Sequence, residues 1–474
     1  MSYALYIGKN HSATGHAWLG GYGDEPSSHW LEIMPRRRHE PGEMITVGVT
    51  PEAAMPGLLS EIPQSAETHR HIRVSYSHYL GVPAPLTNGG LNEHGVAVRD
   101  VWSTSRDELI AMTPKDQTGP NYSDLARIVI ERATSAREGV ELIGALIAQH
   151  GYSTYGGNSH LIADAGEAWV VIECAGGLGL WAAERLGPDS IRASRPGYIG
   201  VIDFDSDDFL HPSHLTDEAE KQGWWSPGQP FDFTAIYGDG KDRWDGVAWI
   251  EAEMAARAAS PEKISLADMF WAVRTDRLTG DTAGYGQVVP LTTPKHPATR
   301  MLWHTQIGAI AAPFSPVFLG AGAVPEEYGA HRYLTEGEAA RVSDTRHEIA
   351  GREDSTSLIP QGIESTRSAS AVFKRLLYLI LQNPDLFLAD TTELWEALEA
   401  KSAPVATDTA RVAELLLNAG EVDLAARHLT AATGAGLQEA LELAETLAKA
   451  YEARTRILRG ISDHSVPKSQ DQIW

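Results

Sequence analysis

Apolar and polar positions alternate with a period of two along short stretches in roughly the first 200 residues, and clusters of glycine, asparagine and proline separate them. "SYALYIG" from Ser2 contains β-prone Tyr3, Tyr6 and Ile7, "KNHSATG" is turn chemistry, and "HAWLGGYGD" brings the chain back. This predicts a hairpin beginning at residue 2. "GLNEHGVAVRDVW" predicts a turn and a strand, while "HLIADAGEAWVVIEC" and "GLGLWAAERLG" predict a strand, turn and strand series. Between them, "DLARIVIERATSAREGVELIGALIAQHG" has apolar residues at helical spacing and predicts a helix stopped by Gly151. From about Ser365 the period becomes helical and amphipathic in "SASAVFKRLLYLILQN", "TTELWEALEAK", "DTARVAELLLNAG" and "LQEALELAETLAKAYEARTRILRG". The polar, aperiodic stretch from Glu338 to Glu364 reads as a surface loop or linker. The pattern thus predicts an α+β body over residues 2–337, a linker over 338–364 and a helical C-terminal region over 365–474 packed on the body.

Composition narrows the partners. The 474 residues include 39 Lys plus Arg against 63 Asp plus Glu, a formal net charge of −24 that repels phosphate backbones and anionic membrane surfaces. Nucleic acid and membrane are therefore not expected as partners. The single cysteine, Cys174, excludes an intramolecular disulfide and a thiolate metal cluster. No basic segment followed by an apolar run opens the chain, so a cytoplasmic location is expected. "AVFKRLLYLIL" from Ala371 to Leu381 is too short to span a bilayer and reads as a buried helix. The apolar faces of the C-terminal helices suit packing on the body or on another subunit, and periodicity does not distinguish the two.

Ser2 is the first chemical candidate. If Met1 is removed, one residue supplies a hydroxyl nucleophile and an α-amine whose pKa near ~7.7–8.0 leaves much of it unprotonated at neutral pH. "ETHRHIRVSYSHYL" gathers His69, His71 and His78, and His69 and His71 would share a strand face, where an edge-strand role is favoured over a metal site. Arg36 to His39, "RRRH", reads as a solvated turn rather than an anion site. Cys174, in "AWVVIEC", reads as a buried structural thiol. No GxSxG elbow, Walker loop or dinucleotide-binding GxGxxG is present, and "GAGAVPEEYG" lacks the Lys-Ser/Thr that would follow a phosphate loop.

The order of motifs resembles the dipeptidase A and secernin family, the cysteine dipeptidases among the N-terminal-nucleophile hydrolases. "SYALYIGKNHSATGHAWLGGYGDE", "GLNEHGVAV" at Gly90 to Val98 and "LIADAGEAWVVIE" at Leu161 to Glu173 carry the resemblance. "IDFDSDDFL", "GWWSPGQPFDFTAIYG", "TTPKHPATRMLWHTQIGAIAAPFSPVFLGAGAVPEEYG" and the helical tail are similar to later parts of the family. The resemblance implies an αββα sandwich of two antiparallel sheets between helix layers, no cofactor and no metal. It also implies hydrolysis of a small amide or dipeptide through an acyl-enzyme on Ser2. Asp24 falls at the family's acidic position near the nucleophile. Three departures stand out: Ser2 replaces the nucleophilic cysteine, Gly21 replaces an arginine, and Ser194, followed by Arg195, replaces an asparagine. Asn92 and Asn158 are then the nearest oxyanion candidates, with turn roles as the alternative. Substrates with a free amino terminus would need an anionic partner in the cleft. The competing expectations are an amidase or acyltransferase acting on a non-peptide N-acyl metabolite, and a non-catalytic binding protein of the same fold.

Overall fold

The computed structural model describes residues 2–24, 29–76, 82–83, 86–241, 243–280, 283–330 and 367–459. β1 (Tyr3–Ile7) and β2 (Ala17–Gly23) form the expected hairpin, with Tyr3 opposite Tyr22 and Ile7 opposite Trp18. β3 (His29–Met34), β4 (Arg37–Arg38), β5 (Met44–Val47), β6 (Ser60–Pro63), β7 (Glu67–Thr68), β8 (His71–Tyr76), β9 (Leu86–Asn92) and β10 (Ala97–Val101) follow. Helices α1 (Asp107–Met112), α2 (Tyr122–Arg132) and α3 (Ala136–His150) precede β11 (Asn158–Ala163), β12 (Ala168–Glu173), β13 (Trp181–Leu186), β14 (Ile191–Ser194) and β15 (Phe209–Leu210). Next come α4 (Leu215–Lys221), α5 (Phe233–Tyr237), α6 (Asp245–Ala258) and α7 (Leu266–Arg274), then β16 (Tyr285–Leu291), β17 (Met301–Gln306) and β18 (Ser315–Phe318). The described chain ends in α8 (Ala369–Gln382), α9 (Pro384–Asn418) and α10 (Val422–Arg459).

Two large antiparallel sheets result, a six-stranded one in the order β14-β1-β2-β16-β17-β18 and an eight-stranded one in the order β15-β13-β12-β11-β10-β9-β8-β3, beside two-stranded pairs β4-β7 and β5-β6. Strand alternation gives each sheet two buried faces. Ala4, Tyr6, Leu19, Tyr285, Val289 and Leu302 meet Leu31, Ile72, Ala97, Leu161 and Val170 of the other sheet in a shared core. The opposite face of the six-stranded sheet, with Tyr3, Leu5, Trp18 and Tyr22, packs under Val247 and Ile250 of α6 and Met269 and Val273 of α7. Val98, Ile162, Trp169 and Val171 on the far face of the eight-stranded sheet lie under Leu125 and Val129 of α2 and Val140 and Ile143 of α3. The molecule is thus the αββα sandwich that the resemblance implied. Each fully buried large apolar side chain removes area worth about 1.5–3 kcal/mol from water, so the three apolar layers hold the stack together.

Two helical expectations change. The single helix expected between residues 124 and 151 is broken into α2 and α3, because the Ser135 side chain caps the second helix by accepting from the Glu138 N–H. Gly151 does stop α3, at φ 85°. "TTELWEALEAK" and "DTARVAELLLNAG", read as separate helices, are one 35-residue helix, α9, that runs through Pro404. Burial of Trp395, Ala406 and Ala413 on one side holds that helix across the proline. The expected linker 338–364 lies outside the described residues. α8, α9 and α10 pack on one another, and α10 also covers β18, where the Thr433 hydroxyl accepts from the Phe318 N–H at 3.2 Å. Among the described residues no helix is long and apolar enough to cross a membrane.

Candidate functional site

Ser2 heads β1, and β1 is an interior strand, flanked by β14 and β2. The residue is 6% exposed, and its Oγ accepts from the Asp24 backbone N–H at 3.3 Å. Alternation with Ala4 and Tyr6 points Ser2 between the sheets. Because Tyr3 pairs with Tyr22 and Gly23 pairs with Tyr285, continuing the register gives a row Ser2, Gly23, Tyr285 across three neighbouring strands. Two strand spacings, about 10 Å, therefore separate Ser2 from Tyr285. The glycine between them leaves that floor without a side chain.

The adjacent row runs Ser194, Ala4, Gly21, Gln287 and His304. Gly21 sits at φ 150°, and a Cβ there would overlap the Tyr3 carbonyl oxygen, so this backbone excludes an arginine at the position sterically. The Ser194 hydroxyl and Gln287 Oε1 are both buried without a hydrogen-bond partner, while Gln287 Nε2 donates to the Val98 carbonyl at 3.2 Å. Burial lowers the His304 pKa to about 4, so its imidazole is neutral at pH 7. Over these rows lies β10, which brings Cα atoms within 8 Å of β1 and β2. Stacked sheets ordinarily stand about 10 Å apart. Ala4, Gly21, Gly23 and Ala97 make the closer approach sterically available. Arg99 of β10 enters this space fully buried and donates through Nη1 to the Tyr285 hydroxyl.

The sequence candidates fall into two groups. Ser2 and Asp24 meet at the head of β1, and Ser194 lies on the neighbouring strand opposite Ala4, on the same face of the sheet as Ser2. Arg195 does not join them: its Nη1 donates to the Tyr22 hydroxyl and the Leu278 carbonyl, and its guanidinium lies 4.6 Å from the Trp244 ring centre, on the helix-facing side. Asn92 is corrected to a turn residue, because both amide hydrogens are committed to the Ile130 and Ala133 carbonyls at 3.0 and 2.7 Å. Its Oδ1 accepts from the His94 and Val96 N–H groups, each at 3.0 Å. Asn158 shares the helix-facing side of its strand with His160 and Ile162, so it too is directed away from Ser2. Arg99, Tyr285 and Gln287 were missed by the sequence reading.

Other candidates resolve as local structure. His69 precedes β8 and does not share its face with His71; it lies instead beside Glu93 and His94, with one potential ligand atom from each of the three within 4.8 Å of the others. That carboxylate already accepts from the Arg70 N–H at 2.6 Å and Arg36 Nε at 3.1 Å. Burial lowers His71 to about 4, and its Nδ1 donates to the His69 carbonyl at 2.8 Å. His78 lies outside the described residues. Arg36, Arg37 and Arg38 are matched by Glu67, Glu93 and Glu43, which leaves no anion-binding cluster there. Cys174 is buried, and desolvation pushes its thiol well above the ordinary range.

A buried contact between His160 and Glu173 supports β11 and β12 from the helix side, and burial raises the Glu173 pKa above its ordinary value. His160 Nδ1 lies 2.7 Å from Glu173 Oε1 and Nε2 lies 2.9 Å from the Tyr122 carbonyl, so both ring nitrogens face acceptors. Burial alone would lower the His160 pKa, but Glu173 with the hydrogen bonds and Asp100 outweighs it and holds the imidazolium above its ordinary value. A folded-state pKa above the unfolded one gives a contribution fully present below about pH 6.5 and lost as pH rises through the raised value. Glu173→Gln is expected to cost about 3 kcal/mol in denaturant unfolding at pH 6. The gap to wild type should narrow as the pH is raised; a gap constant with pH would exclude the charged pair.

Residues 74–247 match the model of Peptidase family C69. That stretch contains the "GLNEHGVAV" and "LIADAGEAWVVIE" segments and does not reach Ser2. The chain is 34% identical over 128 residues to the probable dipeptidase B of Lactococcus lactis subsp. lactis (strain IL1403), covering 27% of this chain and 26% of that protein. It is 30% identical over 161 residues to the dipeptidase of Bifidobacterium longum (strain NCC 2705), covering 30% and 29%. The matched segments thus span under a third of the length of these curated relatives. A mutant form of the conjugated bile acid hydrolase from Clostridium perfringens aligns structurally with a TM-score of 0.32 and 11% identity, covering 67% of this chain and 92% of that chain. The sequence matches support the likeness to the dipeptidases.

Proposed function

We propose that the chain is an N-terminal-serine amidohydrolase acting on a small amide or dipeptide. The observation that carries this reading is Ser2 itself: a hydroxyl 6% exposed at the head of an interior strand, aimed between the sheets, with its Oγ oriented by the Asp24 N–H. With Met1 removed, the Ser2 α-amine takes the hydroxyl proton as Oγ bonds to the substrate carbonyl carbon. The tetrahedral oxyanion needs a donor, and the unpartnered Ser194 hydroxyl on the neighbouring strand is the nearest candidate from the sequence. Collapse breaks the C–N bond, the ammonium returns its proton to the leaving amine, and water then attacks the acyl-enzyme by the same route. The dipeptidase matches support the choice of a peptide-like amide.

Intact-mass spectrometry of the untagged protein tests the premise. The expected mass is that of a chain beginning at Ser2; Met1 retained on essentially every molecule would displace the α-amine and end the mechanism.

A further inference from the structure

Among the described residues, Arg99 carries a charge into the intersheet space and has no counter-ion there. It is 0% exposed, and among the described residues only Nη1 of its three guanidinium nitrogens has a hydrogen-bond partner, the Tyr285 hydroxyl; Nε and Nη2 are buried and unpaired. A buried guanidinium left in that state is costly, and an opposing carboxylate with two-point hydrogen bonding is the arrangement that best relieves it. The residue also faces the strand rows that carry Ser2. Its strand crosses β1 and β2 with Cα atoms within 8 Å, and its partner Tyr285 shares the row with Gly23 and Ser2. Gln287 Oε1 and the Ser194 hydroxyl, buried and unpartnered on the adjacent row, add unused polar capacity to the same space. Gly21, where a side chain would strike β1, leaves the arginine from the opposite sheet as the cation that serves this floor.

We propose that Arg99 is a carboxylate anchor, so that the substrate is an amide carrying a free carboxylate within reach of the scissile bond, such as a dipeptide with its C-terminus free or an N-acyl amino acid. This deepens the amidohydrolase reading and rests on it for the position of the scissile bond. It also changes one expectation: the buried charge aimed into this space is cationic, so the acidic character of the whole chain does not describe the cleft.

The test is calorimetric binding to the Ser2→Ala protein, using L-alanyl-L-alanine, L-leucyl-L-leucine and N-acetyl-L-leucine, each beside its C-terminal amide. At least one acid should bind tenfold or more tightly than its amide. Arg99→Gln should bring the pair within twofold, and Arg99→Lys should restore part of the difference. Tyr285→Phe keeps the ring and removes the hydroxyl to which Arg99 donates; it should shift the acid affinity more than the amide affinity, which gives a readout if the Arg99 variants do not fold. Equal affinities for acid and amide, no binding by any of these probes, or a preference that survives Arg99→Gln would overturn the anchor. Failure of the amidohydrolase reading is a separate result: preferential binding of the acid with no turnover of it by the wild-type protein.

Discussion

Ser2→Ala is expected to reduce amide turnover by at least about 10³-fold, because it removes the atom that forms the acyl-enzyme and leaves only binding and oxyanion stabilisation. The fold should be unaffected, since the substitution deletes one hydroxyl that accepts the 3.3 Å hydrogen bond from the Asp24 N–H. Ser2→Cys should retain turnover, because a thiolate is an intrinsically stronger nucleophile and the α-amine stays in place. Initial rates of amine release, with circular dichroism and the melting temperature as folding controls, measure both variants. Full activity in a folded Ser2→Ala protein would remove Ser2 from the chemistry. The role of Ser2 is therefore open to direct kinetic test.

The parts of this arrangement legible in the sequence are those fixed by neighbours in the chain. The β1–β2 hairpin and the β11–β12 hairpin follow from alternation across a short turn, and their registers agree with the pattern. Ser2 could be picked out because it heads that first hairpin, and Asp24 because it falls at the acidic position that the resemblance implies. Arg99 could not. In "GVAVRDVW" it occupies the position that a half-buried strand would give to solvent, yet β10 is covered on both sides, by α2 on one and by β1 and β2 on the other. Tyr285 and Gln287 come from a strand more than 180 residues further along, and only the pairing of β16 with β2 brings them to Ser2. Asn92 misled for the opposite reason: its turn chemistry was visible, but the two helix-end carbonyls that consume its amide belong to residues 130 and 133. The signal that could have found Arg99 is a charged residue sharing its strand face with Ala97 and Val101, two apolar positions of one short strand.

Breaking the ion pair between Arg274 and Glu399 is expected to be the most destabilising single change outside the apolar core. Glu399 projects from α9 into the body, where its Oε2 accepts from Arg274 Nη1 at 3.0 Å, its Oε1 accepts from Arg274 Nη2, and the Phe314 N–H donates to Oε1 at 2.8 Å. Arg274 Nε donates to the Ala309 carbonyl at 2.8 Å, and the two side chains are only 5% and 4% exposed. Glu399→Ala leaves a buried guanidinium facing a cavity, so a loss of about 3–5 kcal/mol is expected in denaturant unfolding. The double variant Arg274→Met, Glu399→Leu should recover most of that loss, because the cost lies in the stranded charge rather than in the pair's net worth. An Glu399→Ala protein within about 1 kcal/mol of wild type would mean that the C-terminal helices add little to the body. The expected cost reaches the candidate site as well: Arg274 ends α7, and α7 packs on β2 and β16, the strands that carry Gly23 and Tyr285. The helical region would then act on turnover through the sheet that holds Ser2, and Glu399→Ala should lower turnover in step with stability while the double variant restores both.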